Sequence, residues 1–75
     1  FNPTTKIKYS IPIQSFVTLK VYDILGRRIV TLVNEEKSAG NYKIEFDAAN
    51  FSSGVYFYEI KVGNYTQMKK MILMK

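Results

Sequence analysis

A chain of 75 residues makes one small domain, and a domain of this size hides only about 60% of the surface that its unfolded chain exposes. An apolar fraction of 47%, with six Tyr and five Phe among many Val, Ile and Thr, excludes a disordered chain and suits pleated, half-buried strands. The lack of Cys excludes a disulfide or a thiolate metal site and the lack of His removes the usual general base, while a net charge of +5 spread along the chain favours anionic partners without pointing to nucleic acid.

Period-two alternation dominates, and helical periodicity is nearly absent. The first strand is predicted from about Thr5 to Ile11, with Ile7, Tyr9 and Ile11 on one face and Lys6, Lys8 and Ser10 on the other. Pro12 ends it, because proline cannot donate to a ladder, and Ile13-Gln14-Ser15 turns the chain. A second strand runs from about Phe16 to Tyr22, with Val17, Leu19 and Val21 opposed to Thr18 and Lys20. Asp23-Ile24-Leu25-Gly26 reads as a type I turn, in which Asp23 accepts local amide bonds and Gly26 takes the left-handed conformation. The third strand, about Arg28 to Val33, has an ambiguous phase, because Ile29 to Val33 is apolar on both faces apart from Thr31.

Asn34 to Gly40 reads as a polar loop of a length that suits a crossing between sheets. The fourth strand, about Asn41 to Phe46, puts Tyr42, Ile44 and Phe46 inside and Lys43 and Glu45 outside. Asp47 to Ser53 is a second irregular crossing, with Phe51 as its buried anchor. The fifth strand, about Gly54 to Val62, carries the stripe Tyr56, Tyr58, Ile60 and Val62. Gly63-Asn64 is a tight hairpin signal, and the sixth strand runs from about Tyr65 to Leu73. No apolar run approaches the length of about 20 residues that a membrane-spanning helix needs, and neither a signal peptide nor an internal repeat stands out. The abrupt start at Phe1, inside a turn-like Phe-Asn-Pro-Thr-Thr, reads as a cut edge with more protein upstream. These elements predict an all-β fold over residues 1–75, a small immunoglobulin-like antiparallel β-sandwich of six to seven strands with Greek-key crossings.

Ser52-Ser53-Gly54-Val55-Tyr56 has the form of the tyrosine corner of such sandwiches, where a Tyr near the start of a central strand bonds back to upstream backbone. That gives Tyr56 a scaffold role, with ligand contact as the lesser reading. The carboxylates Asp23, Glu35, Glu36, Glu45, Asp47 and Glu59 fall on turns, a loop and outward strand positions, so no facing pair for glycoside hydrolysis is in view. No residue set supplies a nucleophile with an activating base. Asp47 and Asn50 could share a calcium ion, but their spacing matches no recognised loop; no cofactor is expected. The lysines occupy the solvent side of strands, and no phosphate loop or RNA-binding aromatic signature is present, so no nucleic-acid partner is expected. Met68, Met71 and Met74 read as core filling.

The segment Met68 to Lys75 is the least ordinary. If Gly63-Asn64 is a two-residue turn, Val62 pairs with Tyr65, Tyr58 lies opposite Lys69 and Tyr56 opposite Met71. Lys69 then faces the core side, where an unpaired ammonium is costly, so either a bulge intervenes or its stem snorkels to a rim. The segment is either a frayed terminal strand or a basic, apolar strand displayed for a receptor. Asp23, Gly26, Gly63 and Asn64 are the turn formers.

In their order and spacing, Phe1-Asn2-Pro3-Thr4-Thr5 with Ile7 and Tyr9, Val21-Tyr22-Asp23-Ile24-Leu25-Gly26-Arg27, Ala39-Gly40-Asn41-Tyr42, Ser53-Gly54-Val55-Tyr56, and Lys69-Lys70-Met71 with Lys75 are specific. Through them the whole chain resembles the C-terminal sorting domain of type IX secretion cargo in the Bacteroidetes and relatives. The resemblance implies a non-catalytic signal at the end of a larger exported protein bound for the outer-membrane surface or the medium. It implies three partners: an upstream cargo domain, the secretion translocon, and a surface sortase-like peptidase that removes the domain and attaches the cargo to lipopolysaccharide. By motif position the signal candidates are Gly40, Tyr42, Gly54, Tyr56, Lys69, Lys70 and Lys75. Of these, Gly40, Gly54 and Tyr56 would shape the fold and the terminal strand would be read. Similar sandwich sequences occur in flagellar hook-capping proteins, so the fold alone does not settle the role, and the competing expectation is a structural or adhesive sandwich that binds glycans or assembles through its edge strands.

Overall fold

The computed structural model describes residues 4–74. Among them lie six strands and no helix: β1 Thr4–Ile11, β2 Ser15–Tyr22, β3 Arg28–Lys37, β4 Gly40–Asp47, β5 Gly54–Val62 and β6 Tyr65–Leu73. β1 and β4 form a two-stranded sheet, the other strands form a four-stranded sheet in the order β3-β2-β5-β6, and every pairing is antiparallel. The predicted all-β sandwich is therefore the observed architecture. The β2–β3 and β5–β6 connections are hairpins, whereas β1–β2, β3–β4 and β4–β5 each change sheet. The order corresponds to the central strands of an immunoglobulin-type sandwich, with β1 and β4 as strands B and E facing β3, β2, β5 and β6 as C′, C, F and G. Strands A and D of that plan have no counterpart among the described residues.

The core follows from this order. β2 has a neighbour on each side, and its inward residues Val17, Leu19 and Val21 are fully buried. Ile7, Ile11 and Phe46 from the two-stranded sheet join Ile60 and Tyr56 of β5 in the same cluster. Each such aliphatic side chain contributes about 1.5–3 kcal/mol through burial. β6 stands at an edge, and its residues Tyr65 to Lys70 are exposed.

One sequence expectation finds its cause in the structure and two need correction. The unclear phase of the third strand has a cause: the β2–β3 ladder shifts register between Leu19 and Lys20 and again between Val21 and Tyr22, leaving Leu32 and Ile29 as extra residues. Two bulges in five residues put apolar side chains on successive positions, which breaks simple alternation. The polar stretch Asn34 to Lys37 is not a loop but the end of β3, paired with Ser15 to Thr18. An edge strand carries polar residues without cost, so the crossing to β4 takes only Ser38 and Ala39. Finally, only Met71 of the three methionines packs on the core; Met68 and Met74 are exposed.

Candidate functional site

Two crossings between the sheets are locked by the same device. At the start of β5 the Tyr56 hydroxyl donates to the Ser52 carbonyl at 2.8 Å. At the start of β4 the Tyr42 hydroxyl donates to the Ser38 carbonyl at 2.7 Å. The intervening glycines, Gly54 at φ +151° and Gly40 at φ +153°, hold a backbone conformation essentially closed to side-chain-bearing residues. Nothing lies within 4 Å of a Cβ built on Gly54, so the dihedral and not the space calls for glycine there. The spacing Ser-x-Gly-x-Tyr thus occurs twice, at residues 38–42 and 52–56, and that repeat was visible in the sequence though only its second copy was singled out.

The two corners sit at opposite ends of the sandwich. Gly40 pairs with Ile11 near the start of β2, whereas Gly54 pairs with Leu73 near the end of β6. At the first end the Lys37 ammonium lies 3.3 Å from Glu35 and 5.1 Å from the centroid of Tyr42, which stacks on Tyr9 at 5.4 Å. Burial pushes the Tyr9 phenol above its ordinary pKa, against the lowering influence of Lys37. At the second end Phe51 bridges Phe46 and Tyr56, with centroids 5.7 and 6.3 Å apart. Tyr42 and Tyr56 are thus occupied with the scaffold, and the Asp47 carboxylate accepts the Ala49 amide at 3.0 Å. Among the described residues no three His, Cys, Asp or Glu side chains gather into a metal-binding group.

The turns are equally self-contained. The Asp23 carboxylate accepts the Leu25 and Arg27 amides and the Arg27 Nε, at 2.9, 2.9 and 2.8 Å. Its backbone exchanges bonds with Arg27 and Gly26 at 3.0 Å, and Gly26 sits at φ +84°. These bonds from Arg27 hold the Asp23 carboxyl below the ordinary aspartate pKa. The turn nevertheless presents Ile24 and Leu25 to solvent, 68% and 72% exposed. Gly63 at φ +58° followed by Asn64 without a positive φ gives the type II′ pattern, and the Gly63 amide also donates to the Phe16 carbonyl.

β6 runs without a bulge in the register counted from that turn: Val62 pairs with Tyr65, Tyr58 with Lys69, Phe57 with Lys70 and Tyr56 with Met71. Lys69 is on the inner face yet exposed, because the opposing sheet has only two strands. Lys70 is on the outer face between Met68 and Ile72, which are 55% and 60% exposed. A shallow depression of about 350 Å³ joins Met68 to Tyr22, Ile24 and Phe57, so the Asp23 turn and the outer face of β6 form one surface. Lys69 and Lys70 therefore do not share a patch, and neither meets the glycine–tyrosine corners. Lys75 lies outside the described residues. The exposed apolar residues Ile24, Leu25, Met68 and Ile72 were not singled out from the sequence as surface features; counting by twos from Lys70 finds Met68 and Ile72.

The comparison with protein families matches residues 2–74 to the secretion system C-terminal sorting domain. No curated protein and no solved structure matches the chain.

Proposed function

We propose, from the premise that this chain belongs to the secretion system C-terminal sorting domain family, that its signal is a folded surface centred on the outer face of β6. The domain is a sorting signal for type IX secretion, and such a domain marks proteins exported to the cell surface or the extracellular space. The family is not catalytic, and our reading gives this chain no chemistry of its own: it sits at the C-terminus of a larger cargo and is the object on which the translocon and a surface peptidase act.

The observation that carries this reading is the combination on β6 of Lys70 with solvent-exposed Met68 and Ile72, with exposed Ile24 of the hydrogen-bonded Asp23 turn sharing a depression with Met68. A small domain rarely leaves such apolar side chains together in water without a partner for them. Gly40, Tyr42, Gly54 and Tyr56 serve the signal indirectly: the first two fix the crossing into β4, and the last two fix the crossing into β5, which pairs with β6. Lys69 and Lys70 also keep the edge from pairing indiscriminately.

Fusing residues 1–75 to a reporter in a host that carries the translocon tests the reading. Truncating Lys69 to Lys75 would be a poor probe, because Leu73 belongs to the core. Met68→Glu with Lys70→Glu spares the core. Loss of surface reporter with an unchanged melting temperature supports the proposal; surface delivery at the unmodified level sinks it.

A further inference from the structure

A groove of about 680 Å³ separates β1 from the inner face of the β5–β6 hairpin. One wall is β1 itself at Lys8 and Tyr9. β1 pairs with β4 alone, so among the described residues its second edge carries backbone donors and acceptors with no strand beside them. The floor is Tyr58 and Val62 of β5, both half-buried, and the far wall is β6 at Gln67 and Lys69. In the immunoglobulin plan this is the place beside strand B where strand A runs. Lys8 and Lys69 stand on the two walls, and no Asp or Glu lines the space between them.

We infer that this groove receives an extended segment of a partner protein in which apolar and acidic residues alternate, added to β1 as a third strand. A free strand edge supplies main-chain hydrogen bonds, and alternate side chains supply the specificity. Inward apolar side chains cover Tyr58 and Val62, the outward carboxylates of the same strand lie beside Lys8, and the Lys69 ammonium on the far wall adds to the positive field they meet. The partner's acidity is argued from the two unopposed lysines, and the net charge of +5 opposes a second copy of this chain as occupant. The inference rests on the sorting role only for the statement that a partner exists; it does not depend on the outer face of β6 being read.

The test uses the 75-residue chain, isotopically labelled, and three capped peptides followed by NMR. The first alternates Val and Glu, the second alternates Val and Lys, and the third is the first with alternate backbone amides methylated. The acidic peptide is expected to shift the amide resonances of Tyr9, Tyr58 and Val62 and to bind at least about tenfold tighter than the basic one. Methylation should abolish binding, because it removes the edge donors, and Lys8→Glu with Lys69→Glu should reverse the preference. Both lysines are exposed, so that variant retains its core. Equal binding of the acidic and basic peptides, an unchanged order in the variant, no binding, or shifts produced by raising the protein concentration alone would each overturn the inference, the last in favour of self-association.

Discussion

The Tyr56 hydroxyl bonds to the carbonyl of Ser52, four residues back and on the far side of a glycine that only glycine can replace without strain. The acceptor is backbone, so the serine side chain is incidental. Tyr56→Phe is expected to cost about 1 kcal/mol, the net worth of one hydrogen bond. Gly54→Ala should cost about 1–3 kcal/mol through its φ angle, although the space beside it is open. Ser52→Ala should be close to neutral. Urea denaturation of the three variants checks the ranking.

The Asp23 turn makes stability depend on acidity. The folded pKa of Asp23 is lowered, chiefly by the Arg27 amide, relative to an unfolded value of about 4. Its contribution is therefore fully present above that unfolded value and disappears as the pH falls through the lower folded one. Asp23→Asn removes the ion pair with Arg27 and this titration together. Unfolding midpoints measured between about pH 6 and pH 2 should fall less steeply for the variant than for the parent in the acid part of that range.

Two residues of similar apolarity should behave in opposite ways. Leu19 is fully buried between the sheets, and Leu19→Ala is expected to cost about 2–5 kcal/mol, a large share of the stability of so small a domain. Ile24 is exposed on the Asp23 turn, and Ile24→Ser should change stability by no more than about 0.5 kcal/mol. If the turn and the outer face of β6 form one recognised surface, Ile24→Ser nevertheless lowers surface delivery of a fused reporter. Thermal melts paired with surface labelling separate the two effects.

Much of this fold was legible because a strand declares its faces by alternation and a two-residue turn fixes the count across it. The β5–β6 ladder is the clearest case, with Lys69 opposite Tyr58 as counted. What alternation cannot say is how far the opposing sheet extends. Lys69 avoids a buried ammonium neither by a bulge nor by pairing, but because the two-stranded sheet leaves the inner face of β6 uncovered. The same ignorance hid Met68, whose face was readable but whose exposure was not. β3 failed for another reason: bulges at Leu32 and Ile29 erase the period from which a face is read, and Glu35 and Glu36 look like loop when the strand is an edge. At the candidate site, Tyr56 was legible as a corner from its local motif. Tyr42 shares that motif, but its hydrogen bond to Ser38 follows a crossing only two residues long, which the expected loop from Asn34 concealed.

The most direct test of the central claim is site-specific photo-crosslinking during export. A benzoylphenylalanine placed at Lys70, on the outer face of β6, is compared with one placed at Thr31, exposed on β3 at the opposite edge of the same sheet. A sorting surface centred on β6 predicts an adduct with a component of the export machinery from position 70 and little or none from position 31. Equal yields from the two positions, or an adduct from position 31 alone, would contradict it.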